Sequence, residues 1–218
     1  EEELVGVLVA DVLATPPWTR ISRMIRDISA TDILVGNKKT NLRQVVEAAV
    51  DATGEPVAEI RSREISVEGA TVGDLSLQTI AYQTATTEER FLEWITPENK
   101  IAGFCRLSLP TALPRDTANE SSPPPIKSEQ SSSLASPSAP QEAMIREVHV
   151  YGKVAALHRT GEGTQHLGLG RALVEEACAQ AAAAGYTAIN VISAVGTRVY
   201  YRNLGFKDAG LYQKRPLP

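Results

Sequence analysis

The fold of this chain is set by the run Gln165-His166-Leu167-Gly168-Leu169-Gly170-Arg171, which has the form Q-x-x-G-x-G and opens into a helical pattern. The first N–H groups of a helix have no partner within it, and the aligned peptide dipoles leave that end positive. Gly168 and Gly170 carry no side chain that could block a phosphate from those amides. The run therefore predicts a pyrophosphate site, although an ordinary β-to-α turn is the alternative for a glycine pair alone.

The residues that follow the glycine run place it between a helix and a strand. Apolar residues at near-helical spacing predict a helix over 171–184, which Gly185 ends. The run 186–193 predicts a buried strand. Farther on, Val199-Tyr200-Tyr201-Arg202-Asn203-Leu204-Gly205-Phe206 predicts a short helix with a tyrosine pair and a glycine that turns the chain into a strand. A phosphate cradle and a thiolate-facing tyrosine are the two parts that an acetyl-CoA site needs.

Composition limits the class of protein. A chain of 218 residues with 43% apolar content can form one or two small domains, and a net charge of −4 argues against indiscriminate nucleic-acid binding. No apolar run approaches the ~20 residues of a membrane span, and Glu1-Glu2-Glu3 is unlike a signal peptide. Cys105 and Cys178 lie in apolar patterns without C-x-x-C spacing, which predicts buried free thiols. We expect a cytoplasmic protein with no membrane partner and no metal site.

The chain falls into three parts. In the first, the apolar run 4–14 ends at Pro16-Pro17, and Asn41 predicts the N-cap of a helix over 42–53 that Gly54 closes. Extended patterns then predict strands over 61–67, 75–84, 90–95, 100–109 and 142–151. The segment 112–141 is rich in Ser and Pro, which predicts a mobile surface insertion, because it cannot bury enough apolar surface to offset the entropy of ordering.

Several motifs resemble the family of the catalytic subunit of Elongator, over most of the chain apart from the Ser/Pro insertion. The tyrosine pair and the upstream arginine stretches make this resemblance more specific than a general N-acetyltransferase pattern. The motifs are Pro16-Pro17-Trp18-Thr19-Arg20, Arg61-Ser62-Arg63-Glu64, Arg146-Glu147-Val148-His149-Val150-Tyr151-Gly152, the Q-x-x-G-x-G run, and Val191 through Arg202.

The resemblance implies a two-part protein. Members of this family join a radical S-adenosylmethionine domain to a GCN5-related N-acetyltransferase domain, and they use acetyl-CoA for a carboxymethyl-type modification at C5 of the wobble uridine of tRNA. This chain holds no cysteine triad for a 4Fe–4S cluster, so it is expected to be the C-terminal portion. Residues 1–60 would end the radical domain, and 61–218 would form an α/β (α+β) acetyltransferase fold with a central mixed sheet. The expected partners are acetyl-CoA, the tRNA anticodon arm, and a second copy or Elongator-type subunits.

The resemblance also implies roles for particular residues at the cofactor. Tyr201, or its neighbour Tyr200, would assist the CoA sulfur as the thioester breaks, since neighbours on a helix lie about 100° apart and cannot face the same way. Glu147 and His149 are expected to point to opposite faces of their strand, so only one of them can reach the reacting carbonyl. Which of the two does so stays open. The strand Glu147, Val148, His149 and Val150 would pair with pantetheine; Leu169, Gly170, Arg171 and Ala172 would present amides to the pyrophosphate; Gln165 and His166 would flank that loop.

A basic face in the first part is expected to contact tRNA phosphates. Arg20, Arg23 and Arg26 are spaced about one helical turn apart, and the remaining members of this face are Lys38, Lys39 and Arg43. Two other functions stay open. One is a conventional acetyltransferase that acts on a protein lysine or a small molecule, and the other is an acetyl-CoA-binding interaction module without chemistry.

Overall fold

The computed structural model divides the chain into two compact units. The first comprises the described residues up to Ser76, with Ile95–Ala102 and Tyr151. The second comprises the described residues within Leu77–Trp94, within Gly103–Val150 and from 165 onward. The predicted domain boundary at residue 60 and the predicted insertion 112–141 stay predictions, the insertion lying outside the described residues. The structure describes residues 2–24, 30–36, 38–65, 75–111, 142–151 and 165–218, without the side chains of residues 30 and 165–167.

The first unit is built from helices around a small apolar core. Helix α1 spans Glu2–Ala14, α2 spans Leu42–Thr53, α3 spans Ile60–Arg63, and a 3-10 turn lies at Ala30–Asp32. The predicted bounds of α2 are confirmed, and Gly54 follows it in the left-handed conformation at φ +70°. Asn41 is the N-cap residue, as predicted, but its side chain makes no capping hydrogen bond. The buried apolar residues of this core are Val12, Leu42, Val46 and Val50.

The strand predicted over 61–67 is wrong at its start, because Ile60–Arg63 form helix α3. The carboxylate of Glu59 accepts hydrogen bonds from the amides of Arg61 and Ser62, each at 2.9 Å, and so satisfies the free donors at the start of the helix. At the C-terminal end of α3, Arg63 is buried, and its guanidinium donates to the backbone oxygen of Asn99 at 3.0 Å. Residues 66 and 67 lie outside the described part of the chain.

The second unit carries a mixed seven-stranded sheet in the order β1-β2-β3-β4-β5-β7-β6. Strands β3 and β4 pair antiparallel, β4 and β5 pair parallel, and β7 lies antiparallel between β5 and β6. The predicted strands after residue 74 are confirmed, with β5 shorter than expected, and β7 is an addition that the sequence analysis missed. The bounds are Ser76–Gln83, Thr87–Ile95, Ile101–Pro110, Glu142–Val150, Ala188–Val191, Lys207–Ala209 and Tyr212–Pro216 for β1 to β7.

In the described part of the second unit, helix α4 spans Gln165–Ala183, α5 spans Arg198–Asn203, and a 3-10 turn lies at Val195–Thr197. The predicted tyrosine-bearing helix is confirmed as α5, and Gly205 follows it with φ +85°. Helix α4 begins six residues earlier than predicted. Its residues Leu173, Val174 and Ala177 are fully buried against the sheet, as their spacing predicts. Both cysteines are buried and free, and burial raises the pKa of the Cys178 thiol to about 11.

Candidate functional site

The candidate site lies where strands β4 and β5 stop pairing. Their parallel register runs from Glu142 opposite Ala188 to Ile145 opposite Val191, and β4 then continues to Val150 beyond the end of β5. A bulge falls at the same place, since β3 pairs with the residues on either side of Arg146 and skips Arg146 itself. Bulges bend a strand and increase its twist. The backbone of β4 therefore diverges from β5 and leaves an open edge.

A cleft of about 450 Å³ occupies this divergence. Strand β4 supplies Ile145 through Val148 together with Val150, and helix α4 supplies Gly170. The sequence analysis assigned roles to six of the lining residues. It included the segment after β5 in the resemblance motif 191–202 but gave residues 192–197 no role at the site. The predicted residues are Glu147, Val148, Val150, Gly170, Tyr200 and Tyr201; the segment after β5 contributes Ile192, Ser193, Ala194 and Thr197.

Gly170 is the described residue of α4 that lines the cleft. A Cβ atom at this position would lie 3.1 Å from Tyr200 Oη and 3.5 Å from Val150 Cγ2. A side chain there would thus enter the cleft against the tyrosine. A Cβ atom at Gly168, in contrast, would meet nothing within 4 Å among the described atoms. Gly170 therefore keeps the cleft open, whereas Gly168 leaves the start of helix α4 uncovered.

The position of the helix start decides which amides are free. In an α-helix each amide donates to the carbonyl four residues earlier, so only the first four lack a partner within the helix. Because α4 begins at Gln165, the amides of Leu169, Gly170, Arg171 and Ala172 fall in its second turn. The fourth residue of a helix already donates to the residue before the helix, as Val45 does to Asn41 in α2, so the free amides within α4 are those of residues 165–167. The predicted roles of the Gln165 and His166 side chains lie outside the described part of the chain.

The two tyrosines of α5 both reach the cleft but differ in their packing. Tyr201 is only 8% exposed, belongs to the apolar core and packs edge-on against Phe206, with ring centroids 5.6 Å apart. Burial raises the pKa of Tyr201 to about 12. Burial also raises the pKa of Tyr200, which the Arg171 charge partly offsets. Both phenols are therefore protonated and able to donate near neutral pH.

Glu147 and His149 lie on the same face of β4, so the expectation that they point to opposite faces is wrong. Side chains two positions apart along a strand share a face. Opposite them on β3, Arg106 pairs with Glu147 through Nε and Oε2 at 2.9 Å, and the Phe104 ring stacks on His149 at 5.7 Å. Glu147 lines the cleft, whereas His149 is held against an aromatic ring.

The basic residues predicted to bind RNA lie in the first unit, and the helical spacing inferred for Arg20 and Arg23 is wrong because neither lies in a helix. Arg20 Nε donates to Glu64 Oε1 at 2.6 Å, which raises the pKa of the guanidinium. Arg43 pairs with Glu47 at 3.1 Å and donates to the Ile21 carbonyl at 2.7 Å. These contacts give both arginines a structural role. Lys38 and Lys39 are exposed, and Arg26 lies outside the described residues.

Within the described ranges, no helix has the length and apolar character needed to cross a membrane. The described side chains form no group of three or more His, Cys, Asp or Glu residues placed to hold a metal ion. The cytoplasmic location stays a prediction.

The mixed sheet, the divergence of β4 from β5 and the helix facing it define a GCN5-related N-acetyltransferase fold. The archaeal Elp3 structure from Methanocaldococcus infernus aligns with 99% of this chain and 48% of its own, at a TM-score of 0.76 and 30% identity. No protein-family model matches the chain. It is 32% identical over 217 residues to a tRNA uridine(34) acetyltransferase of Dehalococcoides mccartyi and 33% identical over 218 to Elongator complex protein 3 of Drosophila melanogaster.

The chain belongs to this family of Elongator complex protein 3 and the tRNA uridine(34) acetyltransferases. The alignments cover 96% of the chain in both of those relatives, but only 43% and 36% of the relatives' own lengths. The chain therefore spans less than half of the proteins that it matches, and it corresponds to their C-terminal portion.

Proposed function

We propose that the second unit binds acetyl-CoA in the cleft between β4 and β5 and supports its cleavage for a carboxymethyl-type modification at C5 of the wobble uridine of tRNA. The observation that carries this proposal is the open edge of β4 facing Gly170 and the tyrosine pair. The name shared by two of the relatives, tRNA uridine(34) acetyltransferase, favours tRNA as the acceptor.

The lining of the cleft suits the two halves of the cofactor. Beyond Ile145, β4 has no β5 partner, so its backbone offers N–H and C=O groups to pantetheine amides as a neighbouring strand would. Val148, Val150 and Ile192 supply apolar contacts for the methylene groups. The free amides of residues 165–167 would hold the pyrophosphate, and Arg171 would add positive charge.

Acetyl-CoA, when bound, supplies an acetyl group activated as a thioester. A protonated phenol can donate a hydrogen bond or a proton to the departing sulfur, and such general-acid assistance contributes roughly 10²–10⁴-fold. We assign this role to Tyr201, because the Tyr200 hydroxyl lies against Gly170 and is better placed to hold that wall of the cleft. Glu147 would act at the acetyl carbonyl end.

For the intact protein we extend the proposal to the rest of the family's chemistry. S-adenosylmethionine and a 4Fe–4S cluster would be held by residues that this chain does not contain. The exposed lysines Lys38 and Lys39 would contact the anticodon arm. Elongator-type subunits or a second copy would complete the assembly.

The first prediction tests the cofactor site. Calorimetric titration of acetyl-CoA should show binding to the parent chain and at least a hundredfold weaker binding to Gly170→Glu, because the new side chain would fill the cleft and repel the cofactor's phosphates. The matched control is Gly6→Glu, an identical change at an exposed position in α1 where a Cβ atom meets nothing within 4 Å. Equal affinities for the two variants would contradict the proposed site.

Release of free thiol distinguishes the three functions. Thiol release from acetyl-CoA that rises when tRNA is added supports the tRNA-modifying function. Turnover with a lysine peptide or small amine in the absence of RNA would instead identify a conventional N-acetyltransferase. Binding without thiol release under either condition would identify an interaction module.

A further inference from the structure

A second cavity lies beside the cleft, on the face of the sheet that carries Arg106 and Glu147. It measures about 440 Å³ and is polar. Arg146 and Glu147, at the bulge of β4, line both this cavity and the cleft. A ligand in the cavity would therefore lie next to one in the cleft. The complete set of described lining residues is Tyr82, Thr84, Glu89, Arg106, Arg146 and Glu147.

The polar groups of this cavity are held in fixed positions. The Arg106 guanidinium lies 5.3 Å from the Phe91 ring centroid and 5.4 Å from that of Phe104, while its Nε pairs with Glu147. The carboxylate of Glu89 is only 4% exposed and accepts a hydrogen bond from Ser108 Oγ at 2.6 Å. Preorganised donors and acceptors of this kind are what a selective polar ligand requires.

The charges in the lining favour a neutral ligand. Two arginines face two glutamates, with Arg106 on Glu147 at 2.9 Å and Arg146 on Glu89 at 3.8 Å, so the formal charges cancel. A lysine ammonium or a phosphate entering the cavity would add a net charge and lose its hydration without an unpaired counterion. A neutral ligand with both donors and acceptors can match guanidinium N–H groups and carboxylate oxygens together.

We infer that this cavity receives the acceptor of the proposed reaction as a splayed-out pyrimidine base, an inference that rests on the proposed function. Uracil is neutral and carries two carbonyl acceptors around one N–H donor. Single-stranded bases are recognised by hydrogen bonds to their edges and by stacking on aromatic rings or guanidinium planes. Tyr82 provides an aromatic ring and Arg106 a guanidinium plane for stacking. Because Glu147 lines both the cavity and the cleft, a base bound in the cavity lies at the mouth of the cleft.

The test is photochemical cross-linking with a seven-nucleotide single-stranded RNA that carries 5-iodouridine at its centre, mixed with the full chain and acetyl-CoA. Peptide mapping should locate the cross-link at Tyr82 or its neighbours in the cavity. Arg146→Gln should lower the yield about tenfold, as expected for the loss of one hydrogen bond to a charged group. Arg146 is 60% exposed in its side chain, so this change leaves the core intact.

The matched control is Arg202→Gln, which removes another exposed, ion-paired arginine from outside the cavity and should leave the yield within twofold. A cross-link elsewhere in the chain, no cross-link, or equal yields for the two variants would overturn the inference. Calorimetry with acetyl-CoA on the same samples separates the two proposals. Cofactor binding without a cavity cross-link would refute the base site alone, and a cavity cross-link without cofactor binding would refute the proposed function alone.

Discussion

The two units are stabilised by different kinds of contact. In the second unit, a large apolar core is formed by α4 and α5 against the sheet, with Leu173, Ile189 and Phe206 almost completely buried. This unit also buries the carboxylate of Glu89, which accepts a hydrogen bond from the side chain of Ser108. In the first unit the described apolar core is small, and two charged side chains are buried beside it: Glu59 is 1% exposed and Arg63 is 5% exposed. Both charged groups bind backbone atoms, so they fix chain segments rather than fill space.

This difference shows why one unit was easier to predict than the other. Apolar burial repeats along a helix or strand and is visible as periodicity. A buried carboxylate that gathers amides from separate segments leaves no periodic trace. The two units should therefore respond to different substitutions, and because two compact units need not unfold together, the response is best followed segment by segment.

The largest effect is expected from Leu173→Ala, which removes a fully buried side chain from α4. Such a cavity should lower the free energy of unfolding by about 2–5 kcal/mol. Hydrogen–deuterium exchange should accelerate across 165–183 and 188–191 while residues 42–53 remain protected. Leu211→Ala is the matched control, because Leu211 is 80% exposed and its truncation should change little. Equal acceleration in α2 would show that the units unfold as one.

A smaller effect, in the first unit rather than the second, is expected from Glu59→Ala. The carboxylate accepts from the amides of Ile21, Arg61 and Ser62, and its removal leaves these donors unsatisfied. The cost should be roughly 2–3 kcal/mol, and exchange should accelerate in 42–53 and 60–63 rather than in α4. Glu47→Ala, which removes the exposed partner of Arg43, serves as control and should cost less than about 1 kcal/mol. A result for Glu59→Ala no larger than this control would refute the role given to the buried carboxylate.

The smallest effect concerns the exposed ion pair between Glu142 and Lys214 in the second unit. Hydrogen bonds from Lys214 and Asn190 lower the pKa of Glu142 in the folded state. A lowered folded pKa contributes stability above the ordinary carboxyl pKa and loses it as the pH falls through the folded value. Glu142→Gln should therefore reduce urea stability slightly at pH 7, by less than about 1 kcal/mol, and not at all once the pH lies below the lowered folded-state pKa.

The matched variant for this pair is Lys214→Met, with the double variant completing a cycle. At pH 7 the two single losses should overlap, because each removes the same contact. Strictly additive losses, or a penalty for Glu142→Gln that persists at low pH, would contradict the assignment of the pKa shift to Lys214.

The individual residues of the candidate site were predicted better from the sequence than their spatial arrangement. Gly170, Tyr200 and Tyr201 were singled out from their motifs, and the structure places all three on one cleft. Arg106 was missed because its contribution depends on strand register: it lies opposite Glu147, 41 residues away in sequence. A cross-strand partner at that distance has no local signal, although a prediction of strand pairing could have located it.

Local patterns in the chain were enough to establish helix α4, most of the strands, the short tyrosine helix and the family resemblance, because each depends on residues within a few positions of one another. Long-range contacts established the rest. The Ile21 amide, 38 residues away, donates to the Glu59 carboxylate that also caps Ile60–Arg63 as a helix, where the alternating pattern indicated a strand. The bulge at Arg146 set the divergence of β4 and the cavity beside it. These features depend on hydrogen bonds between distant segments, which form only when the packed chain brings their donors and acceptors together.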